Sequence, residues 1–243
     1  MNKKALWSLR IALLIGTVIS LFFVPWPLVS TWLAPLPNTI QQQIDEATQD
    51  HFDGMIVYVQ QGQQPATIFT AGWHDRAKQL PAEPNALFKI ASISKLYVAL
   101  ATTKLINDGQ LSLNDSLSQL LPKVSQHLPN ANEITLRMLL QHRSGLPNFT
   151  DTPNYWSNPP ATASEKLALI MDEPADFAPD SDYAYCNTNY LLLTQIINHT
   201  VGYSYQQYIT DRILQPLALQ NTYFSLDAIN IKDLMGGYYV GVQ

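Results

Sequence analysis

Cysteine is almost missing from this chain. Cys186 stands alone among 243 residues, so no intramolecular disulfide can form. The five histidines (His51, His74, His127, His142 and His199) are isolated from one another and from that cysteine. This spacing excludes a Cys/His metal cluster, and neither a metal nor another cofactor is expected. Charge is also scarce, at 14% of residues, and the lysines and arginines are scattered. That leaves no basic patch of the kind nucleic acid requires. Internal repeats and low-complexity tracts are absent. With 47% hydrophobic residues and a net charge of −5, what remains suits one large domain or two small ones with a real core.

The N-terminus concentrates much of the apolar content. Lys3, Lys4 and Arg10 precede an uncharged run from Ile11 to Val24, and the next charged side chain is Asp45. A basic start before an apolar run predicts a secretory signal or a membrane anchor with its basic end in the cytoplasm. Extended through Pro25-Trp26-Pro27 to Leu33, the run is long enough to span a bilayer, with Trp26 and Trp32 at the interface. No small-x-small cleavage site follows Val24, which favours an anchor over a cleaved signal. Residues 1–37 are therefore read as signal or anchor plus linker, and 38–243 as a domain outside the cytoplasm, periplasmic or at the cell surface.

Beyond Pro37, Asn38 or Thr39 can cap a helix bearing Ile40, Ile44 and Ala47 on one face. Gly54–Val59 and Ala66–Gly72 read as two strands of an antiparallel hairpin around Gly62. The chain from Ser92 to Leu217 is predicted mainly helical. Helices are expected from Ser92 to Asn107-Asp108-Gly109, from Thr135 to Leu140, from Thr162 or Ser164 to Met171, and from Asn187 to Thr200 before Gly202. Another should run from Ser204 to near Pro216. Leu111–Pro122 is expected to be irregular, and Pro147–Pro160 a surface loop over a site.

Two stretches carry chemistry. In Phe88-Lys89-Ile90-Ala91-Ser92-Ile93-Ser94-Lys95, Ser92 and Lys95 are three apart at the predicted helix start, so they share a face. A serine hydroxyl needs a neighbouring base before it attacks a carbonyl, and a helix N-terminus favours developing negative charge. Leu96, Val98, Ala99 and Leu100 are expected to pack the helix behind. The ordinary alternative is a capping serine beside a solvated lysine. In Tyr183-Ala184-Tyr185-Cys186-Asn187, Tyr185 and Asn187 flank one residue, and alternate residues of an extended segment face the same way. A phenol whose pKa is lowered by a cation can act as a base, and a carboxamide can bind a substrate carbonyl. The ordinary alternative is a packed tyrosine and an asparagine N-cap.

Together with Leu139-Leu140-Gln141-His142-Arg143-Ser144-Gly145-Leu146-Pro147, these stretches follow one another as in a known family. Their order resembles the serine β-lactamase/D-alanyl-D-alanine carboxypeptidase family, and within it the class C β-lactamases with their peptidase and esterase relatives. Asn107-Asp108-Gly109-Gln110-Leu111-Ser112-Leu113 and Gln215-Pro216-Leu217-Ala218-Leu219 resemble further landmarks. Several ordered motifs over roughly residues 40 to 240 are far more specific than any one. The resemblance implies an α/β (α+β) fold, an antiparallel sheet flanked by helices plus a mainly helical subdomain. It implies Ser92 as acylated nucleophile, Lys95 and Tyr185 sharing the proton transfers, and Asn187 binding the substrate amide. The Ser92 N–H would supply half of an oxyanion hole. A small peptide, β-lactam or ester is the expected substrate, and the membrane the partner of the N-terminal segment. His142 is read as a packing residue, and Cys186 stands where a serine is more usual.

The family's third element, a Lys-Thr-Gly or His-x-Gly on a strand near the C-terminus, has no counterpart after Asn187; His199-Thr200-Val201-Gly202 has one residue too many. The expectation is a C-terminally truncated member whose last strands are missing. The competing reading is a catalytically inactive, membrane-tethered remnant with a binding or regulatory role.

Overall fold

The computed structural model describes residues 3–50 and 52–238, with the side chains of Lys3 and Asp50 left out. His51 and the last part of the Met235–Gln243 stretch lie outside the described residues. The chain divides into two compact units, residues 1–86 with 235–243, and residues 87–234.

The first unit begins with two helices rather than one. α1 (Lys3–Leu21) ends four residues before Pro25, and α2 (Trp26–Leu33) starts with Pro27 in its first turn. Proline cannot donate the hydrogen bond that would continue α1, so the apolar run is not a single helix to Leu33. The Trp26 indole N–H instead donates to the Leu21 carbonyl at 2.9 Å. Only Lys4–Leu21, with mean hydropathy 1.6, is long and apolar enough to cross a membrane among the described residues.

α3 (Ile40–Asp50) packs on β2, burying Ile44. β1 (Gly54–Val59) pairs antiparallel with β2 (Thr67–Asp75), from Gly54 opposite Gly72 to Val59 opposite Thr67. β2 runs three residues beyond the expected end, because β3 (Leu80–Pro81) pairs with its far portion past an irregularity at Trp73–Asp75. The resulting three-stranded order is β1-β2-β3.

The second unit is helical. α4 (Ser94–Asn107) buries Val98, Ala101, Thr102 and Leu105, a stripe at i, i+3, i+4 and i+7. The expected packing of Leu96 and Leu100 is not observed. Leu96 is 67% exposed and Leu100 40%, since both lie on the opposite side of the helix from that stripe. Leu111–Pro122 is not irregular throughout: Ser116 caps a short α5 (Leu117–Leu120), and α6 (Pro122–Ser125) follows. Thr135 caps α7 (Leu136–Leu140) and Thr162 caps α8 (Ala163–Ala168), which stops short of Met171.

α9 (Asn187–Val201) is the central helix, ended by Gly202 at φ 79°. Leu192, Leu193, Ile196 and Ile197 are all fully buried with Leu105, Leu136 and Leu139. Burying each such side chain contributes about 1.5–3 kcal/mol. Ser204 caps α10 (Tyr205–Ile209), which passes into a π-helical turn at Thr210–Leu214 instead of running as one α-helix to Pro216.

Candidate active site

Ser92 sits in a 3₁₀ turn, Ala91–Ile93, that leads directly into α4; the serine thus lies two residues before the α-helix itself begins. Ala91, immediately before it, has φ 43°, a left-handed conformation costly for a residue with a Cβ. Lys95 lies one turn on, and its ammonium donates to Ser92 Oγ at 3.1 Å.

Tyr185 and Asn187 come from the segment that enters α9. Between them Cys186 is extended (φ −138°, ψ 120°) and buried, so its two neighbours project together. The Tyr185 hydroxyl reaches Ser92 Oγ at 2.8 Å, and Asn187 Oδ1 accepts from Lys95 Nζ at 2.8 Å. Asn187 is the first residue of α9, and Cys186 occupies the N-cap position with no side-chain cap bond, so the N-capping alternative for Asn187 does not apply. The four side chains singled out in the sequence therefore form one cluster, with Lys95 and Tyr185 on the Ser92 hydroxyl and Asn187 on the Lys95 ammonium.

The electrostatics follow from the cation. Lys95 Nζ lies 4.8 Å from the centroid of the Tyr185 ring and 5.8 Å from that of Tyr190. Burial pushes the Tyr185 phenol up, but its hydrogen bonds with Lys95 and Ser92 and the lysine charge outweigh it, leaving a net lowering. Tyr190 moves the other way, raised by burial and then by Tyr185. Of the two phenols near Lys95, Tyr185 is the easier to ionise.

Why does Tyr185 stand there? The segment before it is laced to the turn after α7. The Arg143 carbonyl accepts from Asp180 N–H at 2.9 Å, and Arg143 Nε pairs with Asp180 Oδ1 at 2.5 Å. The Gly145 carbonyl accepts from Asp176 N–H, and the His142 carbonyl from Ala184 N–H. Gly145 has φ 72°, and a Cβ there would collide with the Phe177 carbonyl oxygen. His142, 9% exposed, packs against Tyr185 and Tyr190 with ring centroids 4.7 and 5.1 Å away. Its Nδ1 also accepts the Cys186 N–H at 3.1 Å, so packing is only part of its position.

The first turn of α9 is clamped in the same way. Asn187 N–H donates to Asn148 Oδ1 at 3.0 Å, and Asn187 Nδ2 donates to Thr150 Oγ1 at 3.1 Å. Thr188 Oγ1 donates to the Pro147 carbonyl, and Ser144 Oγ donates to Asn189 Oδ1 at 2.6 Å. Asn148 and Thr150 fall inside the stretch read as a loop over a site, but nothing in their local pattern distinguishes them from other loop polar residues. The loop is also less superficial than expected, because Phe149 and Tyr155 are buried. Among the described residues, no three His, Cys, Asp or Glu side chains group to hold a metal ion.

Chemically, the arrangement offers a half-activated nucleophile. While Tyr185 is neutral its hydroxyl donates to Ser92. An ionised phenolate at this distance can accept the serine proton, with Lys95 beside it to stabilise the negative charge.

Residues 37–243 match the family described as Beta-lactamase. Protein flp of Staphylococcus aureus is 32% identical over 195 residues, covering 78% of this chain and 39% of flp. D-amino acid amidase from Ochrobactrum anthropi SV3, solved in complex with D-phenylalanine, is 29% identical with TM-score 0.68, covering 76% of this chain and 51% of that one. The octameric penicillin-binding protein homologue from Pyrococcus abyssi is 27% identical with TM-score 0.72, covering 82% of this chain and 46% of the other. The chain thus spans about half or less of the length of these relatives.

Proposed function

This chain belongs to the beta-lactamase family, and from that premise we propose that it is a serine hydrolase forming an acyl-enzyme at Ser92. The observation that carries this reading is the convergence of Tyr185 and Lys95 on Ser92 Oγ, at 2.8 and 3.1 Å. Tyr185, with Lys95 lowering its pKa, takes the serine proton as Oγ attacks an amide, β-lactam or ester carbonyl. The serine N–H, at the start of the turn, donates to the oxygen that gains charge. The phenol then returns the proton to the leaving group, and the same pair activates water for deacylation. Lys95 and Tyr185 share the proton transfers of acylation and deacylation. Asn187 binds the substrate amide.

The substrate class proposed is a small D-alanyl-D-alanine-type peptide, a β-lactam or an ester; the similarity to a D-amino acid amidase and a penicillin-binding protein homologue supports amide-type carbonyls. The α1 segment, apolar and exposed behind Lys4, supports a membrane anchor or export signal, and with it an extracytoplasmic place of action. On this reading residues 1–37 form the anchor and linker and 38–243 the hydrolase domain.

The test is mass spectrometry of the intact chain after incubation with a penicillin and, separately, a chromogenic ester. A covalent adduct mapped to Ser92 and lost in Ser92→Ala is expected. Reversible binding with no adduct from either probe would sink the hydrolase reading in favour of a membrane-tethered binding remnant.

A further inference from the structure

Asn187 is proposed above to bind substrate, yet its carboxamide is already fully engaged. Oδ1 accepts from Lys95 at 2.8 Å, while Nδ2 has Thr150 Oγ1 at 3.1 Å and Asn148 Oδ1 at 3.4 Å. A lysine ammonium only donates, so the carboxamide oxygen must face it. Turning the amide over would set an NH₂ group against that ammonium and an oxygen against Asn148 Oδ1.

Behind these two residues stands a third. Asp151 Oδ1 accepts from Asn148 Nδ2 at 3.0 Å and lies 3.4 Å from the Thr150 hydroxyl. The carboxylate orients the Asn148 carboxamide with its oxygen towards Asn187. A continuous series of donors and acceptors then runs from Asp151 through Asn148 and Thr150 to Asn187, Lys95 and Ser92.

We propose that Thr150 and Asn148 are positioning residues for acyl transfer at Ser92, holding the Asn187 carboxamide so that its oxygen fixes the Lys95 ammonium beside the serine. The inference rests on the acyl-transfer reading of Ser92. The two residues divide the work. Asn148 also holds the Asn187 backbone N–H, at 3.0 Å, so it stays with the start of α9. Thr150 makes only a side-chain bond to Asn187, and its hydroxyl has Asp151 as an alternative partner. The Asn148 Oδ1 contact at 3.4 Å is the longer of the two at Nδ2, so a substrate carbonyl arriving there displaces that contact and leaves Thr150 holding the carboxamide.

The test compares the full chain with Thr150→Val, which keeps the shape and removes the hydroxyl, and Thr150→Ser, which restores it. With the penicillin and the chromogenic ester as probes, Thr150→Val should lower the maximal rate of Ser92 acylation about tenfold or more, as loss of alignment at a reacting centre does. Thr150→Ser should recover most of that rate, with the thermal midpoint of both variants near that of the parent. Acylation of Thr150→Val at the parent rate would overturn the proposal. If the parent chain itself is never acylated, the hydrolase reading fails, and the positioning is judged separately by NMR. Faster exchange of the Asn187 side-chain amide protons in Thr150→Val and in Asn148→Ala then supports the clamp; unchanged exchange overturns it.

Discussion

His142 and Cys186 are joined by a hydrogen bond that selects the state of the histidine. The Cys186 N–H donates to Nδ1 at 3.1 Å, so the ring must be neutral and carry its proton on Nε2. Burial lowers the His142 pKa, and the Lys95 charge lowers it further.

A pH dependence of stability follows. Because the folded pKa lies below the ordinary value of 6.5, the unfolded chain binds more protons in the window between the two. The stabilisation is present above about pH 6.5 and is lost as pH falls through the folded pKa. Urea unfolding across this range should show it. His142→Asn, which keeps an acceptor for Cys186 but does not titrate, should flatten the profile; an unchanged slope in that variant would rule His142 out as its source.

Tyr185 should titrate below an ordinary tyrosine, with the lysine as the reason. Ultraviolet difference titration against Tyr185→Phe isolates its signal from the other tyrosines. In Lys95→Met the ionisation should move above the usual value of 10, because burial then acts without the cation. No movement on removing Lys95 would mean that the cation does not set the phenol's acidity.

Gly145→Ala should be among the most damaging small substitutions. The new Cβ meets the Phe177 carbonyl oxygen in a left-handed backbone position, at a cost of at least about 2 kcal/mol. Since Gly145 holds the 176–186 segment through Asp176, Ser92 acylation should fall along with the unfolding midpoint.

Ala91→Gly should have the opposite sign. At φ 43°, alanine pays about 1 kcal/mol that glycine does not, offset in part by the entropy of the unfolded chain. Denaturant unfolding should show a gain of up to about 1 kcal/mol; a loss would mean that the alanine methyl contributes packing worth more than the strain.

Much of the helical unit was legible from local signals. Thr135, Thr162 and Ser204 each cap the helix expected of them, and Gly202 closes α9, because capping depends on residues within one turn. The hairpin was readable from two apolar runs around Gly62, whereas β3 was not, since two residues carry no periodicity. The apolar run to Leu33 looked continuous in composition, and two prolines divided it.

What the sequence by itself determined is thus the local chemistry: which helices start and stop where, that a serine and a lysine lie one turn apart, and that a tyrosine and an asparagine flank a single residue. Only the tertiary structure decided that these pairs, more than ninety positions apart, meet, the tyrosine on the serine hydroxyl and the asparagine on the lysine ammonium. It also decided which face of α4 is buried, and that His142, Asn148 and Thr150 hold the second pair in place. The physical reason is range. Capping and helical periodicity act over three or four neighbours, whereas a hydrogen bond across forty to ninety residues depends on how the whole core packs and leaves no mark on the sequence around either partner.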